Sequence, residues 1–256
     1  MSGDTEKLAE GSLISHLLEL RDRLIRAMIA LAIVFAPCAY YSNQIFSFIA
    51  QPLLQKLPKG SNLIATSVMS PFTTPFKLSF FVALFIAMPY VLYQVWAFVA
   101  PGLYRHEKRF AVPLLVSSII LFYVGVFFAY TFVFPVMFKF FTSTTPVGVA
   151  MMTDITSYLD FVLTMFFAFG VAFEVPVAVV LLVVTNLISL EKLRTSRGYV
   201  LIGIFVVAAI LTPPDAVSQC IMAIPMYLLY EGGILMARIL KKGLQSNPEA
   251  AETEER

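Results

Sequence analysis

An acidic side chain stands in a basic loop between two long apolar segments. The loop covers residues 101–109 and holds Glu107 among Arg105, Lys108 and Arg109. Basic residues alone are enough to keep such a loop on the cytoplasmic side of a membrane, so this electrostatic rule gives no reason for a carboxylate there. Glu107 is therefore the first side chain whose chemistry needs an explanation.

Glu19 is a second acid in a polar segment, and it lies four residues before Arg23. Glu19 and Glu107 could form an anionic patch that accepts guanidinium groups from a partner through bidentate hydrogen bonds. Alternatively, each acid pairs with a neighbour of its own chain, Glu19 with Arg23 and Glu107 with Arg105 or Lys108. Residue spacing leaves both interpretations open.

Glu174 lies within the fourth long apolar segment and is followed by Pro176. An ionised carboxylate inside a bilayer is costly, so intramembrane acids are candidates for function. Glu174 is either a polar or protonatable site that faces the helix bundle, or a protonated carboxyl group bonded to a neighbouring helix. In the second case the carbonyl freed by Pro176 is another possible partner.

Catalytic and metal-binding patterns are missing from the sequence. It contains no H-E-x-x-H motif, no G-x-S-x-G motif and no phosphate-binding loop. His16 and His106 are the only histidines, too few for a convincing metal site. The sequence therefore predicts neither an enzyme nor a bound metal or cofactor. Asp215 is predicted to cap the last helix, with Gln219 in the same polar turn.

Composition defines the elements that must position these groups. Of the 256 residues, 59% are apolar and only 13% are charged, and the mean hydropathy is +0.83. These values exclude an ordinary soluble domain and predict an all-α integral membrane protein.

The apolar segments predict six transmembrane helices, of which the last two are short. They cover about residues 24–41, 76–99, 111–138, 158–184, 199–211 and 216–237. Residues 12–26 have leucines at helical spacing and are predicted to form an amphipathic helix on the membrane surface. Residues 43–75 are predicted to form short interfacial helices on the opposite side.

The distribution of charge predicts the orientation. Fourteen of the 18 lysines and arginines fall on the side of residues 1–26, 101–110, 185–198 and 238–256. This side is called the near side below, and the opposite one the far side. The bias places both termini in the cytoplasm. The predicted division is a cytoplasmic tail at 1–11, a six-helix core at 12–240 and a disordered cytoplasmic tail at 241–256, whose last residues, 247–256, are acidic.

Four segments together resemble the TatC family, the multispanning core of the twin-arginine protein translocase. They are Ser-His-Leu-Leu-Glu-Leu-Arg-Asp-Arg at 15–23, Gln-Val-Trp-Ala-Phe-Val-Ala-Pro-Gly-Leu-Tyr-Arg-His-Glu-Lys at 94–108, Phe-Gly-Val-Ala-Phe-Glu-Val-Pro at 169–176, and Leu-Thr-Pro-Pro-Asp at 211–215. The resemblance runs in order from about residue 12 to residue 240.

The resemblance implies a receptor that binds the twin-arginine signal peptides of folded cargo. It further implies an oligomeric complex with the single-span subunits TatA and TatB, use of the proton-motive force, and a bacterial inner membrane location. Contact with lipid is expected, and contact with nucleic acid is not.

The resemblance also assigns sites to this sequence, with Glu174 as the buried intramembrane polar position. The implied signal-peptide patch consists of Glu19, Arg21, Phe98, Pro101, Tyr104, Arg105 and Glu107. The implied docking region for the single-span subunits consists of Thr212, Asp215 and Gln219. The implied far-side cap consists of Pro52, Ser70, Pro71 and Phe72. Under this resemblance the anionic-patch interpretation of the two acids is preferred.

Two other functions remain as alternatives. A proton-coupled transporter of small solutes would use Glu174 as its relay. A passive membrane scaffold would bind no ligand, and changes of charge on its near side would then have no effect.

Overall fold

The computed structural model describes residues 2–54, 62–99, 111–144, 152–212 and 216–245. Apart from two strands of three residues, the described regular structure is helical. The helices are α1 Ser2–Tyr40, α2 Ser42–Leu54, α3 Ser70–Val99, α4 Ala111–Phe128, α5 Phe134–Thr144, α6 Ile155–Ala172, α7 Val175–Val184, α8 Leu190–Thr195, α9 Arg197–Leu211 and α10 Ala216–Gln245. The strands are β1 Asn62–Ile64 and β2 Met152–Asp154. The all-α membrane class predicted from composition is confirmed.

Five helical segments of the described chain are long and apolar enough to cross a membrane. They are Ser15–Tyr40, Ser70–Val99, Ala111–Thr144, Ile155–Val184 and Ala216–Lys242. A sixth apolar helix, α9, has only 15 residues, or about 22 Å at 1.5 Å per residue. This length falls short of a hydrocarbon core of about 30 Å, as the sequence predicts.

One predicted boundary needs correction. The amphipathic segment at 12–26 runs directly into the first span, because α1 continues unbroken from Ser2 to Tyr40. Nothing between the leucine-spaced stretch and the apolar stretch interrupts the backbone hydrogen bonds, so amphipathic character alone does not end the helix. The prediction that both of the last helices are short holds for α9, whereas α10 has 30 residues and extends past its apolar part to Gln245.

The third and fourth spans are each interrupted once. A π-helical turn at Ala129–Val133 separates α4 from α5, and a turn at Phe173 and Glu174 separates α6 from α7. Pro176 sits in the first turn of α7, where its missing N–H removes no helical hydrogen bond. The second interruption places Glu174 at a helix junction instead of on a continuous helix face.

The described chain divides into two compact units. The first consists of residues 1–53 and 69–115, and within it α1 packs along α3. Phe35 of α1 meets Phe76 and Phe80 of α3 edge to face, with ring centroids 5.1 and 5.7 Å apart. Outside this contact many large α1 side chains are exposed, as expected for a helix that faces lipid.

The second unit consists of residues 54–68 and 116–256, and aromatic rings fill its interior. Phe128 lies 5.8 Å from Phe169 and 5.5 Å from Phe173, measured between ring centroids. Two glycines allow α4 and α6 to pack this closely. A Cβ on Gly125 would collide with the carbonyl oxygen of Phe169, and one on Gly170 would collide with the ring of Phe122.

Two far-side segments of the second unit are joined by strands β1 and β2. The strands pair in parallel, with Leu63 opposite Thr153. Asp154 then accepts hydrogen bonds from the backbone N–H of Thr66 at 3.0 Å and from its hydroxyl at 2.6 Å. The same carboxylate caps α6 by accepting from the N–H groups of Thr156 and Ser157. These bonds, above all those from Thr66, hold the pKa of Asp154 well below its ordinary value.

Asp154→Asn is expected to lower the thermal stability of the purified protein in detergent. Because the folded-state pKa of Asp154 is depressed, its contribution to stability is present above pH 4 and is lost as the pH falls further. The difference in melting temperature between wild type and variant should therefore be constant from about pH 8 to pH 5 and shrink in more acidic buffer. A difference that changes between pH 8 and pH 6 would contradict this role.

Candidate functional site

Glu19 lies on α1, and among the described residues only one of its carboxylate oxygens accepts a hydrogen bond. Arg23 donates from Nε and Nη2 to Oε1, at 2.9 and 2.6 Å. Among the described residues, Oε2 has only His16 Nδ1 nearby, at 3.9 Å, which is too far for a hydrogen bond. The side chain of Glu19 is one-third exposed. The pairing with Arg23 predicted from spacing is thus present, yet it leaves one oxygen able to accept from an incoming donor.

His16 and Phe98 connect this part of α1 to the near-side end of α3. Their rings stack with centroids 4.2 Å apart and an angle of 20° between the planes. Phe98 is the second-to-last residue of α3, and the segment that carries Glu107 begins shortly after it in sequence. The stack therefore brings Glu19 to the helix end from which the acidic and basic loop departs.

A shallow depression on α1 surrounds Glu19. It is lined by Ser15, Leu18, Glu19, Asp22, Arg23 and Arg26. Arg21 is exposed, and its Nη2 pairs with Asp22 Oδ1 at 2.8 Å. Two carboxylates and two guanidinium groups line this surface, so it can accept hydrogen bonds although its net charge is close to zero.

Not every predicted patch residue can be placed. Glu19, Arg21 and Phe98 lie in the described part of the chain. Pro101, Tyr104, Arg105 and Glu107 lie outside the described residues. The patch as a whole therefore stays a prediction, supported at Glu19 and Phe98 by the geometry given above.

Glu174 lies in the second unit and bonds to a helix that the sequence does not single out. Ser118 of α4 donates its hydroxyl to Glu174 Oε2. Among described residues no partner reaches Glu174 Oε1, which is shielded from solvent. The bond from Ser118 agrees with the interpretation of Glu174 as a carboxyl group bonded to a neighbouring helix. Because Oε1 has no partner among the described residues, a polar or protonatable site that faces the bundle is also compatible with the structure. Two adjacent serines, Ser117 and Ser118, within the apolar span at 111–138 are the sequence signal for this partner.

Ser118→Ala is expected to destabilise the second unit by about 1–3 kcal/mol, because it removes the one donor that reaches Glu174 in the described structure. Ser118→Thr keeps the hydroxyl and should recover most of that loss. Unfolding in detergent measures both variants. Equal loss in both would mean that packing, and not the hydrogen bond, accounts for the effect.

The residues predicted to dock the single-span subunits lie at or near helix ends. Thr212 is buried and donates its hydroxyl to the carbonyl oxygen of Ala208 at 2.8 Å, so this hydroxyl serves the end of α9. Gln219 is half-buried on α10, and Asp215 lies outside the described residues, so its capping role is untested.

The predicted cap residues lie on two helices. Ser70 is buried at the start of α3, next to Pro71, whereas Phe72 is 71% exposed. Pro52 falls in α2, among residues whose side chains are not described. Within the described ranges no three His, Cys, Asp or Glu side chains gather closely enough to hold a metal ion.

Comparison with known proteins gives one consistent result. A family model described as Sec-independent protein translocase protein (TatC) matches residues 15–225. A Sec-independent protein translocase protein TatC from Azotobacter chroococcum mcd 1 is 57% identical over 228 residues, or 89% of each chain. The protein of the same name from Escherichia coli strain K12 is 54% identical over 226 residues, or 88% of each chain.

A solved structure agrees with these relatives. The crystal structure of a twin arginine translocase receptor, TatC, superposes with a TM-score of 0.78 at 39% identity, and covers 88% of this chain and 98% of its own. The matched residues 15–225 include Glu19, Glu107 and Glu174. These relatives are named as parts of a protein translocase and not as transporters of small solutes.

Proposed function

The chain belongs to the TatC family of Sec-independent protein translocase proteins, and we propose that it is the receptor for twin-arginine signal peptides. It is a multi-pass membrane protein and a protein-transport subunit, not an enzyme. It works as a component of a translocase together with other subunits. The finer proposal concerns which residues bind the signal peptide and how.

The observation that carries the proposal is the open oxygen of Glu19 beside the His16–Phe98 stack. Oε1 is held by Arg23, so the carboxylate is fixed in orientation before a ligand arrives. No described residue donates a hydrogen bond to Oε2, and this oxygen is proposed to accept from a guanidinium group of the signal peptide. Glu107, in the loop that follows α3, is proposed to accept from the second arginine.

Arginine suits this role better than lysine. A guanidinium group is planar, presents five N–H donors and binds a carboxylate through two parallel bonds, whereas an ammonium group is a compact and more strongly hydrated charge. An exposed ion pair contributes little, but partly desolvated charge pairs at an interface can be worth several kcal/mol. Recognition of paired arginines is therefore proposed to depend on geometry and partial burial more than on charge alone.

The remaining assignments are also proposals. The excess of cations on the near side supports cytoplasmic termini. A bacterial inner membrane location is proposed from membership of the family. TatA and TatB are proposed as the single-span partners in an oligomeric complex, with Thr212, Asp215 and Gln219 as their docking region. The proton-motive force is proposed to drive export, and a six-helix core over 12–240 remains the proposed domain division.

A crosslinking experiment tests the proposed patch. Glu107→Gln is expected to abolish crosslinking of a twin-arginine peptide, because it removes one of the two charges that hold the arginines. The variant should still insert in the membrane and be recovered in normal amounts. Unchanged crosslinking in a correctly inserted variant would remove Glu107 from the site.

A further inference from the structure

Three contacts in the second unit define the level at which α9 begins beside α10. Arg197 Nη2, at the first residue of α9, lies 2.5 Å from Glu231 Oε2. The hydroxyl of Tyr230 donates to the carbonyl oxygen of Leu193 in α8 at 2.7 Å. Gly233 lies against Pro176, the second residue of α7, so closely that a Cβ on this glycine would meet the Pro176 Cα at 2.8 Å.

Beyond this level α10 has no part of α9 beside it, because α9 begins here. It extends about 14 residues beyond Glu231, to Gln245, which is about 21 Å of helix. In the predicted topology this continuation points to the near side, together with α7. The short helix α9 therefore begins well inside the near-side end of α10, and one face of α10 is left without α9 beside it.

Two basic residues lie on that same face. Arg238 and Lys242 follow Glu231 by seven and eleven residues, so the three side chains form one stripe along α10. Glu231 is neutralised by Arg197, and its other oxygen accepts from Tyr227 at 3.1 Å. Arg238 and Lys242 are exposed, and among the described residues neither forms an ion pair.

Helix α8 adds two further cations near the beginning of α9. It contacts both α9 and α10. Lys192 and Arg194 flank the buried Leu193 and are exposed, and Glu191 is the acid on the same helix. Helix α8 meets α10 at Tyr230, which lies eight residues, or about 12 Å of helix, before Arg238, so Lys192 and Arg194 add positive charge about two turns away from Arg238. Leu235 and Ile239 lie near Arg238 on α10, 58% and 61% exposed.

We propose that this surface binds the phosphate headgroup of an anionic phospholipid from the near-side leaflet. Arg238 and Lys242 would contact the phosphate, and the acyl chains would lie against Leu235 and Ile239, with Lys192 and Arg194 adding to the positive potential from about two turns away. The occupant follows from three properties of the surface: positive charge next to exposed apolar side chains, a position near the end of a membrane span, and a gap left by a helix too short to fill it. Clusters of basic residues at this position attract anionic lipids.

The lipid site shares no residue with the proposed signal-peptide patch or with the proposed docking region at Thr212 and Gln219. It also does not depend on the chain being a signal-peptide receptor. A failure of the lipid proposal would therefore leave the receptor proposal intact, and the reverse also holds.

Titration of phosphatidylglycerol into the purified, delipidated protein in detergent tests the site, with binding followed by thermal stabilisation. Arg238→Gln is expected to weaken the apparent affinity about five-fold, and Arg238→Gln with Lys242→Gln about 25-fold. Lys241→Gln is the matched control, because this neighbouring cation lies on the side of α10 that continues the buried face of Ala237. It should change the affinity less than two-fold.

Several results would overturn the proposal. Equal loss in Arg238→Gln and Lys241→Gln would mean general charge attraction without a site. Equal stabilisation by phosphatidylcholine would show that the headgroup charge is not recognised, and full competition by millimolar inorganic phosphate would point to a soluble anion. Loss of a co-purifying single-span subunit with unchanged lipid affinity would assign the surface to a protein partner.

Discussion

Replacing Glu19 by glutamine is expected to weaken the binding of a twin-arginine signal peptide about 30-fold or more, which corresponds to about 2 kcal/mol. The substitution keeps the shape of the side chain but replaces one acceptor oxygen by a donor. It also leaves the Arg23 guanidinium, which is now bonded to Glu19 Oε1 at 2.6 Å, without its counter-charge and facing the peptide arginines. Because the side chain of Glu19 is one-third exposed, the expected loss of binding free energy lies at the low end of the range for buried charge pairs. Peptide affinity of the purified protein measures the effect.

Glu191→Gln provides the matched control for Glu19. It removes the same charge from another exposed acid on the predicted near side, where no ion pair involves it among described residues. Its effect on peptide affinity should stay within two-fold. If both substitutions weaken binding equally, the peptide responds to net charge and not to a site at Glu19.

The second large effect is expected at Gly125. Adding one methyl group as Gly125→Ala would place a Cβ against the backbone carbonyl of Phe169, which cannot rotate away. Alanine normally favours a helix over glycine by about 1 kcal/mol, but overpacking of a tight contact costs about 1–3 kcal/mol. A net loss of stability is therefore expected, with a larger loss for Gly125→Val. Thermal unfolding in detergent measures it.

Gly203→Ala is the control for this helix contact. Gly203 lies within α9, and a Cβ there would meet nothing within 4 Å in the described structure. The same chemical change should therefore be neutral or slightly stabilising. A stable Gly125→Ala protein would show that the third and fourth spans can separate at this point without cost.

The long spans follow from the sequence because hydrophobicity over about twenty residues is a local property. The short length of α9 is evident for the same reason. The pair of strands at Leu63 and Thr153 could not be predicted, since it joins segments about 90 residues apart, and strands this short have no clear periodic pattern.

The contacts of the site residues also divide into local ones that the sequence predicts and long-range ones that it does not. The Glu19–Arg23 bond is an i,i+4 contact within one helix, and spacing is enough to predict it. The bond from Ser118 to Glu174 and the stack of His16 on Phe98 join distant parts of the sequence, and each depends on how two helices pack. Sequence therefore identifies the acids, whereas the structure identifies what orients them.

The central claim is that the near-side acids recognise paired arginines at the end of α3. The most direct test is a site-specific photocrosslinking scan from Phe98 to Glu107 with a twin-arginine signal peptide and its twin-lysine counterpart. Strong crosslinks to the twin-arginine peptide, largely lost with twin lysine and in Glu19→Gln, are the expected result. Equal crosslinking of both peptides, or no crosslink across this segment in a correctly inserted protein, would contradict the account.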